Sequence, residues 1–116
     1  MNVTTMQSNA LKVPSWTFLS NHAHVLLCIA RNPEITMKSI SEMVGITERA
    51  VQRIVADLVQ QEYLRRDKDG RRNRYTISAQ KPLRHPIEAH RNVEAILELV
   101  LSKKERAEML ESEDNR

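Results

Sequence analysis

The densest group of charged side chains lies at residues 65–74 (RRDKDGRRNR), where six of ten positions are Lys or Arg and two are Asp. Guanidinium and ammonium groups donate hydrogen bonds to phosphate oxygens, and such a dense group of cations attracts a polyanion. The segment therefore predicts phosphate binding. The alternative interpretation is a solvated hairpin tip whose charges have no partner.

Residues 47–53 carry a second group of polar side chains, which includes two arginines and a glutamine. Arg49 or Arg53 is suited to a bidentate pair with a guanine edge and Gln52 to one with adenine, each worth about 1–3 kcal/mol of discrimination. The sequence does not fix which base each side chain would contact. What it predicts here is recognition of base edges by hydrogen bonding.

Five residues are of the types that bind metal ions: His22, His24, Cys28, His85 and His90. His24 and Cys28 are four apart and share a helical face, whereas His22 and His24 do not. The favoured interpretation is that Cys28 is a small buried hydrophobe and that the histidines donate or accept hydrogen bonds. We therefore predict no metal site and no cofactor, with a metal-responsive protein as the alternative.

Several classes of enzyme site are excluded by the small number of glycines and cysteines. Gly45 and Gly70 are the two glycines of the chain, too few for a Gly-rich phosphate loop, a dinucleotide fingerprint or a nucleophile elbow. Cys28 is the one cysteine, which excludes a disulfide within the chain and a cysteine-built zinc site. No arrangement of Ser, His and acid suggests catalysis, so we predict that the protein is not an enzyme.

The length of 116 residues fits one compact domain. Hydrophobic residues make up 41% and aromatic residues 3%, which predicts an aliphatic core. Residues 1–86 hold 13 Lys or Arg against 7 Asp or Glu, and residues 87–116 hold 5 against 8, so a basic body precedes an acidic tail. No stretch approaches the ~20 apolar residues of a membrane span. We expect a cytoplasmic protein with no membrane partner.

Helices are predicted over residues 21–31, 37–44 and 48–62. Each follows a hydroxyl residue able to cap it, namely Ser20, Thr36 and Thr47. Pro33 ends the first helix and Gly45 the second. The third helix has apolar residues at the spacing of one helical face, and its other face is polar.

A two-stranded hairpin is predicted over residues 63–68 and 73–77, with Asp69 and Gly70 between the strands because Asp-Gly favours a tight turn. Residues 78–86 contain two prolines and form a connector. A last helix is predicted from residue 87 to about residue 109, because nothing in this stretch stops it. We divide the chain into a flexible arm (1–14), a domain that holds the first three helices and the hairpin (15–85), and a C-terminal helix with a charged tail (86–116).

This order of a helix, a short helix, a tight turn, an amphipathic helix and a basic hairpin is that of a winged helix-turn-helix. Seven positions have the residue types that such a turn unit needs: Ile40, Ser41, Val44, Gly45, Ile46, Val51 and Ile54. The predicted fold class is mainly α with a small β-hairpin, a winged helix-turn-helix with a C-terminal dimerisation helix.

The chain resembles MarR-like and ArsR-like winged-helix transcriptional regulators. The resemblance is carried by WTFLSNHAHVL (16–26), ITERAVQRIVADL (46–58) and GRRNRY (70–75), and it covers about residues 15–101. It implies a homodimer that binds double-stranded DNA in a sequence-specific manner, and it indicates no effector. Two other functions remain open: a winged-helix protein-interaction module and a metal-responsive ArsR-like regulator.

In a helix-turn-helix the second helix enters the major groove, and its exposed N-terminal residues contact base edges. Those residues here are Thr47, Glu48, Arg49, Gln52 and Arg53. The tip of the hairpin would contact the DNA backbone or the minor groove through Arg71, Arg72 and Arg74. Lys38 and Ser39, at the start of the short helix, are predicted phosphate contacts.

The last helix has apolar residues on more than one side and no obvious partner in the winged helix. A second subunit would cover them, and the predicted dimer interface is Trp16, Phe18, Val93, Ile96, Leu97, Val100 and Leu101. The alternative is that this helix folds back over the first helix of its own chain.

Overall fold

The computed structural model describes residues 13–114, with the backbone alone for Asp69 and residues 110–114. The elements of the described chain are α1 (Asn21–Arg31), α2 (Met37–Val44), α3 (Glu48–Gln60), β1 (Leu64–Asp69), β2 (Arg72–Ile77), α4 (Val93–Val100) and α5 (Lys103–Asp114). None of the helices in this range combines the length and the apolar character needed to cross a bilayer. Most of the predicted flexible arm, residues 1–12, lies outside the described residues.

The first three helices begin where their capping residues predict. The hydroxyl oxygen of Ser20 accepts a hydrogen bond from the Ala23 N–H, and Thr47 does the same for Ala50. Thr36 caps α2 by accepting from the Ser39 N–H. Each cap satisfies one of the N–H groups that a helix end leaves without an intrahelical partner.

The turn between α2 and α3 is built on Gly45, whose φ of 87° lies in the left-handed region. The N–H groups of Gly45 and Ile46 both donate to the carbonyl of Ser41, at 2.9 and 3.1 Å. Ile40 of α2 and Val51 of α3 are fully buried on either side of this turn. The predicted helix-turn-helix is therefore confirmed, with the turn glycine where the sequence places it.

Helix α3 is two residues shorter than predicted and ends in a left-handed residue. Glu62 has a φ of 67°, and the Tyr63 N–H donates to the Leu58 carbonyl at 2.8 Å while the Glu62 N–H donates to Val59 at 3.0 Å. These two bonds form a Schellman motif, in which glycine is the usual left-handed residue. The motif ends α3 and directs the chain into β1.

The hairpin is antiparallel, and its turn is shifted by one residue from the prediction. Asp69 pairs with Arg72, so the two loop residues are Gly70 and Arg71 rather than Asp69 and Gly70. Gly70, with a φ of 68°, is the first of the two. A two-residue hairpin loop with glycine in the first position is one of the favoured types.

The prediction of one helix from residue 87 to about 109 is wrong. Residues 78–92 are mostly irregular, with a single β-bridge between Pro82 and Asn92, and the helical segment then breaks between α4 and α5. The break has a local cause, because Ser102 and Glu105 form a capping box. The Ser102 hydroxyl accepts from the Glu105 N–H at 3.1 Å, and the Glu105 carboxylate accepts from the Ser102 N–H at 2.9 Å.

The core is aliphatic and includes α4. Val93, Leu97 and Leu101 are buried with the apolar residues of α1, α3 and β2, and both α4 and α5 pack against α1. This corrects part of the predicted dimer interface, because three of its residues face the core of their own chain. The alternative that the C-terminal segment folds back over the first helix is the arrangement observed.

Candidate nucleic-acid interface

Helix α3 has one buried face and one exposed polar face. Val51, Ile54, Val55 and Leu58 are buried and fix the helix against α1 and α2. The exposed face begins at its N-terminal end with Thr47, Glu48, Arg49, Gln52 and Arg53. The Thr47 hydroxyl is engaged as the N-cap. The other four side chains have no hydrogen-bond or ion-pair partner among the described residues, and they are available to a ligand.

The two predicted phosphate contacts on α2 differ in their surroundings. Lys38 is exposed and has no partner in the described chain. Ser39 is half-buried, and its hydroxyl accepts a hydrogen bond from the Thr36 hydroxyl at 3.1 Å. Of the two, Lys38 is the side chain that is free to reach a phosphate.

The three predicted wing arginines also differ from one another. Arg71 is exposed at the tip and has no partner in the described part of the chain. The Arg72 guanidinium lies 3.3 Å from Oε1 of Glu34, and its side chain is 74% exposed. Arg74 lies 2.8 Å from Oε2 of Glu34 and is 19% exposed. Arg74 is in the strand, opposite Asp67, so the prediction that it lies at the tip is wrong.

Glu34 is a site residue that the sequence did not indicate. It lies in the connection between α1 and α2, where its N–H donates to Oδ1 of Asn32 at 3.1 Å. The neighbouring Pro33 carbonyl accepts a hydrogen bond from the Tyr75 N–H of β2 at 3.0 Å. The connection therefore lies beside β2, and the Glu34 carboxylate is held against the base of the wing.

Pairing within the chain halves the number of cations that segment 65–74 offers to a ligand. Arg65 is paired with Asp67 at 3.0 Å, and Arg72 and Arg74 are paired with Glu34. The cations of the segment without a partner among the described residues are Arg66, Lys68 and Arg71.

An open groove of about 280 Å³ lies between the start of α1, the end of α3 and the segment around residues 83–96. His22 and Asp57 line it and join α1 to α3 through a 2.9 Å contact between Nε2 and Oδ2.

Cys28 is buried in the core, and burial raises the pKa of its thiol, with Arg31 partly opposing this effect. In the described range, no three His, Cys, Asp or Glu side chains come together as they would to hold a metal ion.

The rest of the predicted dimer interface is accessible. Trp16 and Phe18 are 67% and 92% exposed and form an edge-to-face pair with ring centroids 5.0 Å apart. Val100 is exposed and Ile96 is half-buried. Leu99, which was not predicted, is also exposed on α4.

One ion pair joins the C-terminal helices to α1, and another joins α5 to α4. Arg31 of α1 lies 3.1 Å from Glu105 of α5, and Arg106 of α5 lies 2.8 Å from Glu94 of α4. The N–H of Ser102, which donates to the Glu105 carboxylate, is the main cause of a lowered pKa for this group, and Arg31 adds to the effect. These contacts fix α4 and α5 on the side of α1.

Comparisons with known proteins agree with the helix-turn-helix. Residues 17–72, which hold α1 to α3 and the first wing strand, match the model of the MarR family. An uncharacterized protein of Methanocaldococcus jannaschii is 31% identical over 64 residues, which is 54% of this chain and 14% of that protein's length. The chain thus spans about a seventh of this relative.

Two solved structures are also similar to this chain. One is MepR, a transcription regulator of the Staphylococcus aureus multidrug efflux pump MepA, with a TM-score of 0.49 and 16% identity over 83% of this chain and 75% of MepR. The other is Lactococcus lactis ZitR in complex with DNA, with a TM-score of 0.48 and 18% identity over 95% of this chain and 68% of that one. On the helix-turn-helix, the hairpin wing and the match of residues 17–72 to the MarR family model, the chain has a winged helix-turn-helix fold that is similar to that of the MarR family.

Proposed function

We propose that the protein regulates transcription as a homodimer that binds specific sequences in double-stranded DNA. The observation that carries the proposal is the exposed face of α3, where Glu48, Arg49, Gln52 and Arg53 are all without a partner in the described chain. A folded protein gains little stability from such a face, whereas a base-reading helix needs it.

The major groove of B-DNA is about 12 Å wide and admits an α-helix. With α3 in the groove, Arg49 and Arg53 would donate to guanine, Gln52 would pair with adenine, and Glu48 would accept from the amino group of cytosine. The buried opposite face of α3 fixes the position of the helix, and with it the points from which these side chains would reach the bases.

The wing and α2 would supply contacts that do not depend on sequence. Arg71 is at the tip and Lys38 is at the start of α2, and both are exposed and unpaired within the described residues. We assign them to the DNA backbone, with the minor groove as a second position for Arg71. Arg74 is not included, because Glu34 holds it at the base of the wing.

The homodimer is supported by apolar side chains that the chain leaves in water. Trp16, Phe18, Leu99 and Val100 are exposed, and exposed apolar groups of this size often mark an interface. A twofold dimer would place two α3 helices about one DNA turn apart, ~34 Å, and would bind an inverted repeat.

Titration of a fluorescent duplex with the protein over a range of salt concentrations tests DNA binding. We expect the logarithm of the affinity to fall linearly with the logarithm of salt concentration, with a slope of about −0.9 for each phosphate contact. An absence of binding at low salt would refute the proposal.

Sedimentation of the double variant Phe18→Asp with Val100→Asp tests the dimer. This variant should be monomeric, because each substitution places a charge in the proposed apolar interface. Ile87→Asp is the control, since Ile87 is also exposed but lies outside the proposed interface. Leu97→Asp does not serve this purpose, because Leu97 is buried and a carboxylate there would unfold the chain. A double variant that remains dimeric would exclude this interface.

A further inference from the structure

The carboxylate of Glu34, in the connection between α1 and α2, contacts two wing arginines and competes with phosphate for them. We propose that Glu34 sets the charge that the wing offers to DNA: it neutralises Arg72 and so weakens binding to DNA of any sequence, while the base contacts of α3 are left unchanged. This inference rests on the proposed DNA-binding function and concerns the electrostatic part of binding at that same site.

The two oxygens of the Glu34 carboxylate have different partners. Oε2 accepts from Arg74 at 2.8 Å, and this arginine is largely buried. Oε1 accepts from Arg72 at 3.3 Å, and that side chain is mostly exposed. The contact with Arg74 fixes the position of the carboxylate. The contact with Arg72 lies on the solvent-exposed side of the wing.

Hydrogen bonds of its backbone and the contact with Arg74 hold Glu34 beside the wing. The hydrogen bond from the Tyr75 N–H to the Pro33 carbonyl joins the α1–α2 connection to β2, and Glu34 itself is bonded to Asn32. If Arg72 turned toward a phosphate, the carboxylate would stay beside it and would repel the same phosphate.

Exposed ion pairs contribute little free energy, about 0–1 kcal/mol, so Arg72 exchanges partners readily. When Arg72 exchanges Glu34 for a phosphate, the net charge of the DNA is still not neutralised. The reason is that the Glu34 carboxylate approaches the phosphate together with the Arg72 guanidinium. Arg72 therefore adds little to the release of counterions that drives sequence-independent binding.

Arg71, the next residue, has no such partner in the described chain. Neighbouring arginines of the same hairpin are thus expected to behave differently, one as a full phosphate contact and the other as a balanced charge. Because a phosphate contact acts on every sequence alike, neutralising Arg72 lowers the affinity for all duplexes by about the same factor.

Glu34→Gln tests the proposal, since glutamine keeps the shape of the side chain and an oxygen that can accept from Arg74. We expect tighter binding to a duplex of arbitrary sequence at low salt. The salt dependence should steepen by about 0.9 per subunit, an additional three- to fourfold loss of affinity between about 50 and about 200 mM salt. The preference for a selected duplex over a scrambled one should stay the same, because both duplexes gain the same phosphate contact.

Glu42→Gln is the matched control, because it removes the same charge from an exposed acid on α2 that has no partner among the described residues. It should leave the salt dependence unchanged. The double variant Glu34→Gln with Arg72→Gln should lose the added salt dependence, which would identify Arg72 as its source.

A second comparison does not depend on the folding of the Glu34 variant. In the otherwise unchanged protein, Arg71→Gln should reduce the salt slope by about 0.9 per subunit, and Arg72→Gln should change it much less. Equal effects of these two substitutions, or a Glu34→Gln slope equal to that of the original protein, would overturn the inference and leave the proposed function intact. Failure of the original protein to bind any duplex would overturn both.

Discussion

The exposed face of α3 and the wing are both rich in arginine, and they differ in what those arginines contact. Arg49 and Arg53 of α3 have no partner in the described chain. In the wing, Arg65, Arg72 and Arg74 are each paired with a carboxylate. The number of cations in a segment therefore overstates the charge that the segment can offer to a ligand.

The two regions are also held in place differently. Helix α3 is fixed by a buried apolar face that leaves its polar face free. The hairpin has fewer buried side chains, with Leu64, Tyr75 and Ile77 in the core, and it is fastened at its base by Glu34 and by the Pro33–Tyr75 hydrogen bond. Arg74 is thus used to hold the wing in place.

The largest expected effect is on base recognition by α3. Arg49→Ala or Arg53→Ala should cost about 1–3 kcal/mol with the preferred duplex, which is about 5- to 150-fold in affinity, and should affect scrambled duplexes much less. Competition titrations with the two duplexes measure the difference. Arg91→Ala, which removes an exposed arginine far from α3 in sequence, is the control. Equal losses on both duplexes would assign these arginines to phosphates.

A smaller effect should separate two arginines within the wing. Arg71→Ala should weaken binding to all duplexes and reduce the salt slope by about 0.9 per subunit. Arg74→Ala should leave the slope nearly unchanged and lower the melting temperature, because it removes a partly buried ion pair. Duplex titrations and thermal denaturation measure the two outcomes. The comparison between paired and unpaired arginines fails if Arg74→Ala changes the slope as much as Arg71→Ala does.

The smallest effect should come from the junction between α3 and the wing. Glu62→Gly should raise the free energy of unfolding by about 0.5–1 kcal/mol, because glycine adopts the left-handed conformation without the strain of a Cβ atom, and part of this gain is offset by the greater freedom of the unfolded chain. Urea denaturation measures it. Gln61→Gly, one residue earlier at a φ of −88°, should lower stability. A loss of stability in Glu62→Gly would show that this residue is not strained.

Features that depend on neighbouring residues could be predicted from the sequence. Ser20, Thr36 and Thr47 cap helices by bonding to N–H groups three residues later, and Gly45 provides the left-handed turn. These are short-range effects of one or two side chains. The order of elements in the winged helix follows from them.

The C-terminal segment also contained a local signal, which the prediction did not use. Ser102 and Glu105 have the spacing of a capping box, and this pair begins α5. The apolar pattern of α4 predicted that its residues are buried, but it did not show which surface buries them, because periodicity does not identify a packing partner. Val93, Leu97 and Leu101 were therefore assigned to a second subunit, although they pack in their own core.

The role of Glu34 could not be predicted from local sequence. Its partners, Arg72 and Arg74, are 38 and 40 residues away, and they meet only when the α1–α2 connection lies beside β2. A lone acid in a short loop carries no sequence signal for such a contact. The free charge of the wing is therefore a property of the tertiary structure.

Selection of bound duplexes from random DNA tests the central claim most directly, that the unpaired polar face of α3 reads base sequence. The protein should enrich one inverted repeat with half-sites about one helical turn apart, and Arg49→Ala should lose the preference at a fixed position within each half-site. Bound duplexes with no common sequence, or the same sequence enriched by Arg49→Ala and Arg53→Ala, would contradict the account.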